Sequence, residues 1–219
     1  KMRNRLLTLI SRGLLLSLLI FTLSSCDDDT ETIYEGYGLV NKLDNHGFSI
    51  TLDDGHLIYP RESFIDPSRL NDSTRLYMQF NIVEEKDSCA YVRLTYADTI
   101  LTKSILPYSE TILDSVGKAP VKITQAWVAH NFLNFEFMFT GNVNFHQKHM
   151  VNLLQHFSEK DQLMFEFRHN DFNDRQDKVY VGVVSFRLGQ LLEDTEKPVK
   201  MTIKYNDTET STRSISLVY

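Results

Sequence analysis

The sequence predicts an all-β protein, two strand-rich domains behind an amino-terminal export segment, and three observations predict it. Apolar residues recur with period two from residue 37 onward. That pattern lapses once, between residues 102 and 120. Ahead of residue 26 the chain is basic and then apolar, with no acid. At 219 residues, 42% hydrophobic and 11% aromatic, the chain can bury a core. No repeat, low-complexity tract or zinc-type cysteine grouping points to a solenoid or a stapled miniprotein.

The first element is an address. Lys1, Arg3, Arg5 and Arg12 precede the apolar run Leu14 to Leu23, which ends in Leu23-Ser24-Ser25-Cys26. Ten helical residues at about 1.5 Å each span roughly 15 Å, half of a hydrocarbon core of roughly 30 Å, so residues 1–25 read as a cleaved signal peptide. Cys26, placed directly after Leu-Ser-Ser, resembles the lipobox cysteine of bacterial lipoproteins. That resemblance implies a diacylglycerol on its thiol, an acylated amine after cleavage, and stable anchoring to a membrane through two or more chains.

Residues 26–35 then form a lipidated acidic tether. Asp27, Asp28 and Asp29 repel one another and keep a linker extended. The same run resembles the surface-export signal of lipoproteins from one group of Gram-negative anaerobes; in enterobacteria such a placement resembles inner-membrane retention. The expected location is the outer membrane, at the cell surface, with a periplasm-facing anchor as the alternative. Losing residues 1–25 removes four bases and no acid, which moves the net charge from -6 to -10. A chain so acidic is repelled by phosphate backbones, and nucleic acid is not an expected partner. With Cys26 lipidated, Cys89 is left alone and reads as a small buried residue.

Five strands follow within residues 36–106. Tyr37 to Leu43 comes first. Phe48, Ile50 and Leu52 alternate with Ser49, Thr51 and Asp53, and Asp54-Gly55 turns the chain into Leu57, Ile58 and Tyr59. Leu76, Met78, Phe80 and Ile82 point one way in Arg75 to Val83, and Val92, Leu94 and Tyr96 one way in Tyr91 to Thr99. A small twisted barrel of OB-like topology removes the edges of five such strands. Pro107, Gly117 and Pro120 bracket a linker over 107–119.

Residues 120–219 hold seven more strands, read as an antiparallel β-sandwich: Val121 to Val128, Asn131 to Thr140, Met150 to His156, Leu163 to His169, Val179 to Leu188, Val199 to Tyr205 and Ser214 to Tyr219. Leu133, Phe135, Phe137 and Phe139 make one apolar face, which suits a central strand. Val151, Leu154 and His156 leave a short helix open for 147–157.

Three strings carry a family resemblance: Trp127-Val128-Ala129-His130-Asn131-Phe132-Leu133-Asn134-Phe135, Phe165-Glu166-Phe167-Arg168-His169-Asn170-Asp171 and Val183-Val184-Ser185-Phe186-Arg187-Leu188. Together they resemble the NigD-like lipoproteins, which pair an OB-like domain with a carboxy-terminal β-sandwich behind a lipobox. Asp171-Phe172-Asn173-Asp174 departs from that family's Gly-Asp after the His-Asn pair. What the resemblance implies is a cell-envelope lipoprotein named for an operon encoding a bacteriocin-like product. It implies no enzyme.

The residues themselves point to little chemistry. No Gly-x-Ser-x-Gly elbow, phosphate-cradling glycine loop, His-Glu-x-x-His helix or dinucleotide fingerprint occurs, and no cofactor is expected. A hydrolase built on scattered carboxylates is the weakest of the readings left open. His146 and His149, with His130 and His156, could approach a zinc site, but three residues apart on a strand do not converge, so solvated loop histidines next to Gln147 and Lys148 are expected and no metal. Asp171 and Asn173 sit at the first and third positions of a calcium loop, yet Arg175 occupies the fifth and no glycine follows, so a polar hairpin loop is expected. Trp127 reads as core, or as a rim residue stacking on a sugar.

The outward side of the barrel strands offers the candidate ligand face: Tyr77 and Tyr91 beside Arg75, Gln79 and Arg93, suited to stacking and polar contacts with a glycan or protein, or to plain cross-strand packing. Asp72-Ser73-Thr74, Asp98-Thr99-Ile100 and Asp114-Ser115-Val116 resemble the O-glycosylation sequon of the same bacterial group. The function expected is a lipid-anchored, non-catalytic envelope module that binds a protein or glycan. An accessory or self-protection factor for a secreted bacteriocin-like peptide is the alternative.

Overall fold

The computed structural model describes residues 32–43, 47–144, 148–156, 162–193 and 197–219. Cys26, Asp27, Asp28, Asp29 and His146 lie outside the described residues. No helix among the described residues is long and apolar enough to cross a membrane.

Strands β1 (Tyr34–Lys42), β2 (Phe48–Leu52), β3 (Leu57–Glu62), β4 (Arg75–Lys86) and β5 (Cys89–Thr99) close into a barrel in the order β1-β2-β3-β5-β4. This is the OB arrangement, with β3 and β5 parallel and the other pairs antiparallel. Alternate residues fill the interior: Val40, Ile50, Ile58, Met78 and Val92 are at most 2% exposed. The backbones of β1 and β2 come so close at Gly38 that a Cβ there would lie 2.5 Å from Ile50 Cγ2, so the position admits only glycine.

One expectation of alternation fails. Gln79 pairs with Tyr96 and the next residue, Phe80, with Leu94, leaving Thr95 as a bulge. The extra residue inverts the pleat. Tyr96 is thereby turned outward, 46% exposed, and Ala97 takes its place against the barrel core.

The chain enters the sandwich straight from β5. Strands β6 (Leu101–Ser104) and β7 (Leu106–Pro107) pair in parallel with β12 (Lys178–Arg187) and β10 (Met150–Gln155). Residues 101–106, assigned to the barrel domain from the sequence, therefore pair with the sandwich strands instead. Such short edge strands show no periodicity to read. The one-turn helix α1 (Leu113–Val116) occupies the stretch expected as a plain linker, and it is sewn to the sandwich: Asn170 Nδ2 donates to Ser115 O at 2.9 Å and Val116 is buried.

The remaining strands are β8 (Lys122–Ala129), β9 (Phe132–Gly141), β11 (Gln162–Asn170), β13 (Lys200–Asn206) and β14 (Thr212–Val218), with a short helix α2 (Gln190–Glu193). One sheet runs β14-β13-β11-β10-β7, the other β6-β12-β9-β8. Pairing is mixed, since β11 and β13 are also parallel. Residues 150–155 are strand, not helix. Between the sheets, Phe135, Phe137, Phe167 and Phe186 pack with ring centroids 5.1–6.2 Å apart, and β9 is central as its apolar face predicts. His130 and Asn131, both at positive φ (51° and 64°), form the two-residue turn from β8 to β9.

Candidate functional site

The five residues of the expected ligand face go to three places, Gln79 staying beside Tyr77, to whose Oη its Nε2 donates at 3.3 Å. Arg75 is fully buried and is not on any ligand face. At the start of β4 it lies under the sandwich, where its Nη1 and Nη2 donate to Asp53 Oδ1 and Oδ2 at 2.5 and 2.6 Å, and Nη2 also to Asn134 Oδ1 at 3.2 Å. Trp127 Nε1 donates to Asp53 Oδ2 at 2.7 Å, and Ser185 Oγ to Asn134 Oδ1 at 2.7 Å. His130 Nε2 stands 3.1 Å from Leu52 O. A bidentate guanidinium–carboxylate pair is directional, so this cluster fixes the barrel on the sandwich. Trp127 is half-buried at that junction, neither in the sandwich core nor on an open rim.

Tyr77 joins a row of rings that runs from the barrel onto the sandwich. Its centroid is 6.1 Å from Tyr96 and 5.5 Å from Tyr37, which in turn is 5.0 Å from Trp127. Tyr77 Oη donates to Glu35 at 2.7 Å, and Tyr37 Oη to Glu136 at 3.3 Å. Burial, and then the charge of Glu136, push the Tyr37 phenol up to about 12. Tyr91 is elsewhere: it aligns with Glu84 whereas Tyr77 aligns with Asp98, seven residues along β4 and roughly 23 Å away. Around Tyr91 are Tyr59 at 5.6 Å and Arg61, whose guanidinium lies 3.9 Å from the ring centroid. Arg93 pairs with Glu62 at 2.6 Å.

The histidines also divide. His130 is at the junction, and His156 stacks on Tyr108 and faces Glu166 at 3.2 Å. His149, expected in a solvated loop, is buried because the start of β10 folds it against β11. Its Nδ1 lies 2.9 Å from His169 Nε2 and its Nε2 3.1 Å from Asp174 Oδ2; His169 Nδ1 lies 3.3 Å from Pro120 O. Two acceptors, a carboxylate and a carbonyl, cap a chain of two imidazoles. Three hydrogen bonds then need three protons, one more than two neutral rings carry.

Backbone N–H of Asn142, and then the hydrogen bond and charge of His149, hold the Asp174 carboxyl below its ordinary range. Desolvation, and then the charge of His149, lower His169 to about 4. His169 could have been suspected from the sequence, since it follows Leu163, Phe165 and Phe167 on the buried face of β11. Among the described residues no three His, Cys, Asp or Glu side chains converge as a metal site. In the loop after β11, Asp171 and Asp174 accept from the backbone N–H groups of Asn173, Arg175 and Asn142 at 2.8–3.1 Å, as a polar hairpin loop should.

Beside that loop the surface opens. A cleft of about 590 Å³ is lined by Asp114, Lys118, Asn170, Asp171, Phe172 and Glu209, among others. It adjoins a groove of about 460 Å³ through the shared residues Pro120, Gln176 and Glu209. The groove is lined by Val121, Met138, Phe139 and Val179. Neither was visible in the sequence, because their walls come from four separate loops and strand ends.

Two family models match the chain: the NigD-like N-terminal OB domain over residues 37–100, and the NigD-like C-terminal beta sandwich domain over residues 104–219. The chain belongs to the NigD-like family. Solved structures share the NigD-like fold. A protein of unknown function from Bacteroides vulgatus superposes with a TM-score of 0.72 at 19% identity, over 86% of this chain and 91% of that one. A protein of Parabacteroides distasonis provisionally described as toxin-related gives 0.71 at 24%, over 86% and 93%. A NigD-like immunity protein from Bacteroides caccae gives 0.65 at 13%, over 84% and 91%. No curated protein matches the chain.

Proposed function

We propose that this NigD-like chain is a non-catalytic binding module of the bacterial envelope, tethered by lipid on Cys26 and carried to the cell surface by Asp27, Asp28 and Asp29. The observation that carries the reading is the cleft and groove at the end of the sandwich, walled by strand ends of a body that the Arg75 cluster holds as one piece. A site on such a frame is preorganised for a ligand. The imidazoles beside it serve the frame: all four ring nitrogens of His149 and His169 are engaged within the protein.

Protease shaving of intact cells carrying an epitope-tagged copy tests the location, with lysed cells as the control for cutting. Loss of the tag on intact cells supports surface display; protection until lysis overturns it. Cys26→Ala should abolish labelling by an alkyne fatty acid and release the protein from membranes. A variant that is still labelled would remove the anchor from the reading.

A second reading, self-protection against a secreted peptide, draws on one structural neighbour being a NigD-like immunity protein. Deleting the gene should then make cells sensitive to the spent medium of their own parent strain. Growth equal to the parent's in that medium excludes it.

A further inference from the structure

The outer face of the four-stranded sheet is polar where the barrel covers it, and away from the barrel it carries an apolar strip on β9 and β12 beside the polar residues of β8. Leu133, Phe135 and Phe137 of β9 and Val184 and Phe186 of β12 point into the sandwich, so their alternate neighbours point out. Next to the barrel those neighbours are Asn134 and Ser185, both fully buried under Arg75 and hydrogen-bonded. Farther along the same strands they are Glu136 opposite Val183, Met138 opposite Val181 and Thr140 opposite Val179, with exposed Lys122 of β8 on the other side of Met138. Val181 is 64% exposed and Val179 is 52% exposed. An antiparallel sheet with one wet face ordinarily carries polar residues there, and a contiguous bare apolar strip marks an interaction site.

The strip does not end in open surface. Val179 and Met138 continue into the groove of about 460 Å³, and through Pro120 and Gln176 the groove meets the cleft of about 590 Å³. At that end the character changes from apolar to acidic. Asp114, Asp171 and Glu209 line the cleft against one lysine, Lys118. No ion pair to a described residue neutralises these three carboxylates, in contrast to Asp207 of the groove wall, which is held by Arg213. Exposed Phe172 stands at the same rim with its backbone at positive φ (53°). Lys122 lines the groove beside Met138, but the three cleft carboxylates outnumber Lys118 and Lys122 together, so the track leads to a pocket that stays acidic in sum and is complementary to one kind of chain.

We propose that this surface binds a cationic, apolar-rich peptide segment of another polypeptide, its apolar side chains on Val181, Met138 and Val179 and a Lys or Arg side chain among Asp114, Asp171 and Glu209. The proposal rests on the binding-module reading and names its ligand class. The anchor is read from Cys26 to Asp29 and the ligand class from the cleft and strip, and each is tested by its own experiment, so the two can fail separately.

The test is an amide-shift titration of the mature chain, Cys26→Ser to keep it free of lipid, with acetyl-Lys-Val-Lys-Val-Lys-Val-amide. Two control peptides replace every Lys by Glu or every Val by Ser. Shifts at Val179, Val181, Asp171 and Glu209 with the Lys-Val peptide, and no saturation with either control, are expected. Two exposed charge contacts are worth together about tenfold in affinity, so Asp171→Asn with Glu209→Gln should weaken binding by that factor, and Val181→Asn should weaken it with the charge intact. All three substituted positions are exposed or half-exposed, and the unperturbed remainder of the spectrum reports that the fold survives.

Absence of shifts at these residues overturns the proposal, as does equal binding of the Glu-Val control. Shifts of the same amides on concentrating the protein alone would assign the strip to a second copy of this chain and also overturn it. Tag protection in the shaving assay together with positive titration would refute surface display and leave the ligand class standing.

Discussion

Asp53 and Arg75 meet in a bidentate pair at the closing edge of the barrel, and the same Asp53 carboxylate receives the indole N–H of Trp127 from the sandwich. Arg75 is fully buried, and its Nε has no hydrogen-bond partner among the described residues. Removing one member of such a pair strands a buried charge and costs about 3–5 kcal/mol, whereas replacing both is far cheaper. Arg75→Met should therefore lower the urea-unfolding free energy by that amount, and adding Asp53→Asn should recover part of it. A double-mutant cycle with less than about 1 kcal/mol of coupling would show that the pair is not what holds the domains together.

Trp127 is the chain's one tryptophan, and its two interactions separate by substitution. Trp127→Phe keeps a ring against Tyr37 and loses the hydrogen bond to a carboxylate, which is worth about 1.5–3 kcal/mol. Trp127→Ala loses both and should cost more, by the packing of a large aromatic side chain. Calorimetry that finds the two variants equally stable would mean that the ring contact at 5.0 Å contributes nothing.

Acid should weaken the fold through His169. Its value is lowered from 6.5 to about 4 in the folded protein, so between those pH values the unfolded chain binds a proton that the folded one refuses. Stability from this group is whole above pH 6.5 and falls as pH drops toward 4, by about 3 kcal/mol in all. Groups facing it are His149, Asp171 and the Pro120 carbonyl, and Asp174 lies behind His149. His169→Gln should flatten the dependence of the urea midpoint between pH 7 and 4. A slope unchanged by that substitution would place the acid sensitivity elsewhere.

Much of this architecture is legible in the residues, and what is not has physical causes. The row Leu133, Phe135, Phe137 with Asn134 between them reads directly as a strand buried on one side, because a pleated strand sorts its side chains with period two. Tyr96 misleads because the bulge at Thr95 shifts the phase without any mark in the sequence. Arg75 misleads for a different reason: it alternates outward as expected, but the surface it points to is covered by the sandwich. His149 and His169 are twenty residues apart and meet only because β10 and β11 pair with Val151 opposite His169. Pairings between separate elements decide the clefts and the junction, and no local pattern encodes them.

Gly117 allows the cleanest separation of backbone strain from steric overlap. It follows α1 at φ 73° and ψ 178°, a conformation that is essentially restricted to glycine. A Cβ there would also lie 2.6 Å from Asn170 Cα and 2.7 Å from His169 O, atoms of a strand that cannot yield without dragging the sheet. Gly55, in the β2–β3 turn, has φ 93° but nothing within 4 Å of a Cβ. Gly55→Ala should thus cost about 1 kcal/mol, the conformational penalty alone. Gly117→Ala should cost about 2–5 kcal/mol, because overpacking against backbone adds to that penalty, and should loosen the α1 segment in hydrogen exchange before the rest of the sandwich. If thermal melts place the two variants level, the contact between residue 117 and β11 is slack enough to absorb a methyl group, and the tight seam between α1 and β11 is not a determinant of stability.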